Sequence, residues 1–134
     1  MRTMDNTQIQ KETISIDKMV RNKAVKERAF KDLAIAQLVV AAVALEFGVS
    51  GAYIFSKTKG PTHLSFARQV SMYLLHTLYQ INLSRVARSF SRDRSTVSYA
   101  CNIIEDCRED VCFDDKIVRL ESFLGREVLL GMGG

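Results

Sequence analysis

The sequence predicts an all-α fold, a compact helical bundle of six or seven helices, on the strength of three observations. The 134 residues include one proline and seven glycines, too few for a strand protein with many tight corners. Apolar residues recur at helical spacing along most of the chain, and no alternating pattern of period two persists. A hydrophobic share of 47% with 25% charged residues is typical of a chain that folds around its own core. The length suits one domain.

The N-terminal part is predicted to be a polar extension, residues 1–32, that is partly disordered or helical. Residues 1–13 are polar and mixed and are expected to stay loose. A weak helical pattern begins at Asp17, where oppositely charged residues lie four positions apart. Residues 33–47 are apolar at almost every position, which is typical of a helix buried on most sides.

The main domain is predicted to cover residues 33–126, with a tail over 127–134. Gly48 provides a helix stop, and Ser50 is placed to cap a short helix. A basic loop with glycine and proline, residues 57–61, follows.

Four more helices are predicted after this loop. Their positions are about 65–81, 84–90 with Ser84 as its cap, 93–106, and from about 114 onwards.

The net charge of +4 is distributed unevenly along the chain. Residues 57–99 carry seven Lys and Arg against Asp93 alone, a balance of +6, whereas residues 100–134 carry four cations and eight anions. A one-sided basic segment is what a phosphate-facing surface needs, because neutralised phosphates release their condensed counterions. A solvated basic face is the alternative interpretation.

Several classes of function are not indicated by the sequence. Cys101, Cys107 and Cys112 lack the paired spacing of zinc sites, and no nucleophile lies in a recognisable arrangement with a base. We therefore expect no metal, no cofactor and no enzyme activity.

The longest apolar run, residues 38–45, is far shorter than the ~20 residues that span a bilayer. No secretory signal is visible, so a cytoplasmic, nucleoid-associated protein without membrane contact is expected.

Two short helices with a tight turn between them, residues 83–90 and 93–106, fit a helix-turn-helix. Its internal seam is predicted to consist of Val86, Phe90, Val97 and Ala100, with small Ala87 allowing a close crossing. The start of the second helix is polar except for Val97. A recognition helix presents such a start to base edges in the major groove.

Three stretches here resemble the C-terminal DNA-binding domain, domain IV, of the bacterial replication initiator DnaA. They are residues 66–74, 83–90 and 92–97, and the similarity extends from about Leu38 to about Leu124. The family signature Arg-Asp-His-Thr-Thr-Val is written here as Arg-Asp-Arg-Ser-Thr-Val. The resemblance implies a Trp-repressor-like helical bundle whose helix-turn-helix binds short boxes in duplex DNA. The chain shows no Gly-x4-Gly-Lys-Ser/Thr phosphate loop for ATP.

The resemblance also implies which side chains contact DNA. Arg94 stands where the family has histidine, so it is expected to read a different base, and arginine favours guanine. The implied base contacts are Asp93, Arg94, Ser95, Thr96 and Tyr99. The implied backbone contacts are Arg68, Gln69, Ser84, Arg92 and Ser98. The implied minor-groove arm consists of Lys57 and Lys59.

Two of these residues have a structural alternative: Asp93 as a helix cap, and Arg92 as a brace for the turn through carbonyl groups.

The sequence thus predicts sequence-specific binding of double-stranded DNA, most simply by a bacterial transcriptional regulator. One alternative is a replication-linked protein that competes for initiator boxes. Another is a protein-interaction adaptor that docks a partner through the C-terminal helix, where Val128, Leu129 and Leu130 are expected to be exposed. Self-association, through residues 17–32 or through the same C-terminal segment, stays open.

Overall fold

The computed structural model describes the backbone of residues 5–132 and the side chains of residues 5–125. Its described part is helical and contains no strand, which confirms the predicted all-α class. The helices are α1 (Asn6–Phe47), α2 (Gly51–Ile54), α3 (Thr62–Thr77), α4 (Leu83–Phe90), α5 (Arg94–Cys107) and α6 (Val111–Met132). The predicted exposure of Val128, Leu129 and Leu130 falls outside the described side chains.

The chain divides into two units, Met1–Lys31 and Asp32–Gly134. Every described residue of the first unit is exposed. The expectation that residues 1–13 stay loose is wrong for 6–13, which belong to α1. No glycine or proline interrupts this stretch, and Asp5 caps it by accepting a hydrogen bond from the Gln8 backbone N–H at 2.8 Å.

The second unit is built around one hydrophobic core. The end of α1 contributes residues that recur three and four positions apart and so lie on one face of the helix. The central residues from α3 are Val70 and Leu74, both fully buried. The core residues from α1 are Ala36, Val39, Val40, Ala42 and Val43.

The expectation that residues 33–47 are buried on most sides is wrong. Leu45 is 86% exposed and Leu38 is 40% exposed, so this part of α1 buries only one face. Apolar composition alone overstates burial here, because a two-sided apolar helix can still present one side to water.

Two helices begin earlier than predicted, and one cap is different. Helix α3 begins at Thr62 directly after Pro61, and α6 begins at Val111. Asn82 caps α4 in place of the predicted Ser84, because its side chain accepts a hydrogen bond from the Arg85 backbone N–H at 2.9 Å.

A two-point ion pair connects α4 to α1 within the second unit. Arg85 donates from Nε to Asp32 Oδ2 at 2.8 Å and from Nη2 to Asp32 Oδ1 at 2.6 Å. Asp32 is only 5% exposed. The hydrogen bonds to Asp32 raise the pKa of Arg85 above its ordinary value, against a smaller opposing effect of burial. Arg85 therefore has a structural role, in which it connects α4 to α1.

A second polar cluster fixes the turn between α5 and α6 against α3. The Arg108 guanidinium donates to Asp114 and Glu121, and also to the Tyr73 hydroxyl at 3.2 Å. The Tyr73 hydroxyl in turn donates to Glu105 at 2.6 Å. Burial lowers the pKa of Arg108, but these hydrogen bonds outweigh it and raise the value overall. The cluster thus connects α3, α5 and α6.

The ion pair between Asp32 and Arg85 gives a stability prediction. Replacing Asp32 by Ala should lower the free energy of unfolding by about 2–3 kcal/mol, because it leaves a partly buried guanidinium without its acceptor. Chemical denaturation followed by circular dichroism measures this change. Asp17→Ala, on an exposed part of the same helix, is the control and should change stability by less than about 0.5 kcal/mol.

A double-mutant cycle completes this test. In the Asp32→Ala background, the further change Arg85→Met should cost much less than Arg85→Met alone, because the interaction is already lost. Additive losses would contradict a coupled pair.

Candidate nucleic-acid interface

Helices α4 and α5 cross over the apolar seam that the sequence predicts. Val86 and Phe90 from α4 and Val97 and Ala100 from α5 are all buried in one core, and the two helices are in contact. Ala87 is buried as well, beside this crossing. The Phe90 ring also stacks on Phe55 with centroids 5.1 Å apart, which attaches the first helix of the pair to the segment that follows α2.

A single left-handed residue makes the turn between the two helices. Ser91 has φ 52° and ψ 46°. The Arg92 N–H then donates to the Ala87 carbonyl at 2.9 Å, which satisfies one of the free carbonyls at the end of α4. Helices usually end on glycine in this conformation, since other residues have a steric cost there.

The burial of Val97 decides which side chains of α5 face outward. Ser95, Thr96 and Tyr99 are exposed, as are Asp93 and Arg94 at the start of the helix. Ser98 is half-buried. Asp93 occupies the cap position, but its side chain makes no capping hydrogen bond. The predicted base-reading residues therefore form an exposed polar row at the N-terminal turn of α5.

Arg68 lies inside the protein and holds the basic loop. Its side chain is only 5% exposed. Nε donates to the Ile54 carbonyl at 2.6 Å, and Nη1 donates to the Lys59 carbonyl at 3.2 Å. Nη2 lies within 3.3 Å of the carbonyl oxygens of Tyr53, Ser56 and Thr58. The guanidinium thus binds five backbone carbonyls of α2 and the segment that follows it.

Arg92 ties the same loop to the turn of the helix-turn-helix. Nη1 donates to the Lys57 carbonyl at 2.8 Å and Nη2 to the Ser56 carbonyl at 2.9 Å. Burial, with the nearby Arg92 charge, lowers the pKa of Arg68. Carbonyl dipoles aimed at both guanidinium groups offset the repulsion between them. Of the two roles considered for Arg92 in the sequence, the bracing one is present in this structure.

Arg68 and Arg92 bind the backbone of the basic loop, so the side chains of its lysines remain exposed. The Lys57 and Lys59 side chains are exposed while their backbone carbonyls face the two arginines. Arg85, which is paired with Asp32, is likewise unavailable to a ligand. The exposed cations of the basic segment are accordingly Lys57, Lys59, Arg88 and Arg94.

A concavity of about 600 Å³ opens between the basic loop, α3 and the start of α5. None of its lining residues is acidic. Its lining combines basic and hydroxyl side chains with apolar ones, which suits a sugar-phosphate strand. The lining residues are Lys57, Lys59, Thr62, Ser65, Phe66, Arg68, Gln69, Met72, Arg92, Thr96 and Tyr99.

The concavity brings together part of the predicted site. Gln69, Thr96 and Tyr99 line it with the loop lysines. Ser84 is exposed at the start of α4 and does not line it. Sequence reasoning missed Thr62 and Ser65. The signal for them was available, because hydroxyl residues directly after Pro61 mark the first turn of a helix, where backbone N–H groups are free.

The described residues contain no group of three or more His, Cys, Asp and Glu side chains close enough to share a metal ion. None of the helices, as far as they are described, is both long and apolar enough to span a bilayer. Cys101, Cys107 and Cys112 are free thiols.

The seam, the turn and the exposed polar row define a helix-turn-helix DNA-binding domain. A family model described as the bacterial dnaA protein helix-turn-helix matches residues 36–104. The chain belongs to this family, which is one of DNA-binding rather than catalytic domains.

One solved structure, described as the crystal structure of a DNA replication initiation factor, matches 90% of this chain at a TM-score of 0.64 and 24% identity. The match covers 37% of that chain, and at this identity it shows the shared fold.

The left-handed turn residue gives a second stability prediction. Ser91→Gly should raise the free energy of unfolding by about 0.5–1 kcal/mol, because glycine adopts positive φ without a steric cost. Thermal or urea denaturation measures the gain. Ser89→Gly, inside α4, is the matched control and should lower stability by a similar amount. A loss of stability in Ser91→Gly would contradict the assigned conformation.

Proposed function

We propose that this protein binds double-stranded DNA in a sequence-specific manner, with the start of α5 in the major groove. The observation that carries the proposal is the exposed polar row from Asp93 to Thr96 at the start of α5, directly before buried Val97. A recognition helix enters the groove with its N-terminal end, where its side chains reach base edges. The neighbouring concavity supplies the basic wall for a phosphate strand.

Each side chain of the row has a chemistry that fits base recognition. Arg94 is suited to donate two hydrogen bonds to guanine O6 and N7. The Asp93 carboxylate, which makes no capping bond, is suited to accept from the cytosine amino group. Ser95 and Thr96 offer hydroxyl groups, and the Thr96 methyl fits the thymine methyl. Tyr99 extends the row by one helical turn.

The basic loop contacts the adjacent minor groove in this proposal. Lys57 and Lys59 project from a loop whose carbonyls are fixed by Arg68 and Arg92. Arg68 then acts through the loop that it shapes, in place of the direct phosphate contact expected from the sequence. Backbone contacts are assigned to Gln69, Ser84, Arg92 and Ser98.

The biological role that best suits this geometry is regulation by occupancy. A protein that occupies a promoter acts as a transcriptional regulator, whereas one that occupies initiator boxes competes with replication initiation. Selection from random duplexes separates the two, because the second role requires an enriched motif that matches those boxes. Enrichment of bare AT-rich DNA without a motif would contradict both.

Arg94 should carry specificity at one base pair. Arg94→Ala should weaken binding to the selected duplex by about 1–3 kcal/mol and remove the preference at a single position. Quantitative gel shifts on duplexes substituted at each position measure this effect. Lys116→Ala on α6 is the control, because it also removes one exposed cation. Unchanged affinity and selectivity in Arg94→Ala would contradict the assignment of Arg94 as a base contact.

Lys59 should act on every sequence alike. Lys59→Ala should weaken binding to specific and unrelated duplexes equally, and should reduce the slope of log K against log salt by roughly 0.9. Fluorescence anisotropy at several salt concentrations measures the slope. A slope equal to that of wild type would place Lys59 off the duplex.

A further inference from the structure

The backbone of the basic loop is held by side chains rather than by other backbone groups. Among the described residues, no backbone-to-backbone hydrogen bond involves residues 57–60. Lys57 and Lys59 are exposed, and a segment with a solvated backbone opens locally at little cost. Whatever binds the carbonyl oxygens of this loop therefore determines where its lysines lie.

Two guanidinium groups share the same carbonyl oxygens of this segment. The Ser56 carbonyl accepts from Arg92 Nη2 at 2.9 Å and from Arg68 Nη2 at 3.3 Å. The Thr58 carbonyl accepts from the same two nitrogen atoms, at 3.5 Å and 3.2 Å. Arg68 belongs to α3, whereas Arg92 belongs to the turn between α4 and α5, 34 to 36 residues after its acceptors. The loop is thus attached to the helix-turn-helix as well as to α3.

Arg92 is the residue that connects the loop to the start of α5. Its Nη1 donates to the Lys57 carbonyl at 2.8 Å, and its backbone N–H donates to the Ala87 carbonyl at 2.9 Å. Asp93 and Arg94 follow it directly in the chain. Because the guanidinium is planar, binding through two nitrogen atoms fixes direction as well as distance. The loop backbone and the first turn of α5 are therefore connected through one side chain.

We propose that Arg92 is a positioning residue, which fixes the lysines of the loop relative to the start of α5, so that both reach one duplex at a single spacing. The inference rests on the proposed function, because it needs the loop and α5 on the same DNA. Two contacts on one preorganised frame bind more tightly than two contacts joined by a mobile segment, since ordering that segment costs free energy. The loop carbonyls use only part of the five N–H donors of Arg92, so a phosphate contact by the same residue is compatible with this role.

A double-mutant cycle on DNA affinity tests the coupling. Arg92→Met should lower the affinity for the duplex enriched from random sequences at least tenfold. The factor should be at least five times smaller when Lys57 and Lys59 are both replaced by Ala, because the contacts that Arg92 positions are then already lost. A phosphate contact alone would give the same factor in both backgrounds. Fluorescence anisotropy measures the affinities.

A matched control removes another guanidinium of the helix-turn-helix. Arg88 is exposed on α4, and Arg88→Met should change the affinity by the same factor in both backgrounds. The preference at the base pair read by Arg94 should persist in Arg92→Met. Circular dichroism verifies the helix content of each variant, and Arg92→Lys replaces Arg92→Met in the cycle if the latter loses helix content.

An inserted base pair tests the fixed spacing. Hydroxyl-radical footprints of the wild-type chain and of Lys57→Ala/Lys59→Ala locate the DNA segment that the loop contacts. One pair inserted between this segment and the position read by Arg94 lengthens the site by ~3.4 Å and rotates its parts by roughly 35°. The wild-type chain should lose at least tenfold in affinity on insertion. Arg92→Met should lose less than threefold, because its loop adjusts.

Proteolysis tests the attachment of the loop without DNA. Trypsin cleavage after Lys57 and Lys59, followed by mass spectrometry, should be at least fivefold faster in Arg92→Met than in the wild-type chain, because a released loop opens more often. Arg92→Lys keeps the charge without the planar pair of donors and should also be cleaved faster. Arg88→Met should be cleaved at the wild-type rate.

Three outcomes would overturn this inference alone. They are equal factors for Arg92→Met in the two backgrounds, equal losses on insertion for the wild-type chain and Arg92→Met, and unchanged cleavage of the loop in Arg92→Met. A wild-type chain that binds no duplex would overturn the proposed function, and this inference with it.

Discussion

The burial of Val97 in the same core as Val86 and Phe90 is the constraint on which the rest of the site depends. Consecutive residues of a helix are rotated by about 100°, so fixing one inward position fixes the direction of its neighbours. With Val97 fully buried, Ser95 and Thr96 are directed outward, and Arg94 is exposed as the first residue of α5. An ordinary hydrophobic contact therefore sets the orientation of a polar surface.

Charge along the sequence and charge on the surface are different quantities in this protein. Residues 57–99 have a balance of +6, yet Arg68, Arg85 and Arg92 use their donors on internal acceptors. The segment is basic partly because its own architecture needs guanidinium groups. Arginine suits this use, since it offers five donors in a fixed plane and stays charged.

The sequence predicted the helix-turn-helix well because local signals agreed there. The apolar spacing of Val86, Phe90, Val97 and Ala100 requires one seam, and the seam then dictates the exposed row. Capping was less predictable, since Asn82 and Ser84 lie two positions apart and are both good cap residues. The inward orientation of Arg68 could not be predicted, because its acceptors are carbonyls nine to fifteen positions away.

The carboxylate of Asp32 has a consequence for where this domain can be said to start. The family match begins at residue 36, four residues after the acid that Arg85 binds. A fragment cut at that boundary would retain every side chain of the reading helix and still leave the guanidinium of α4 with water as its counterpart. The segment that matches the family is thus shorter than the folded unit, which begins at Asp32. The Asp32 carboxylate lies in the additional residues.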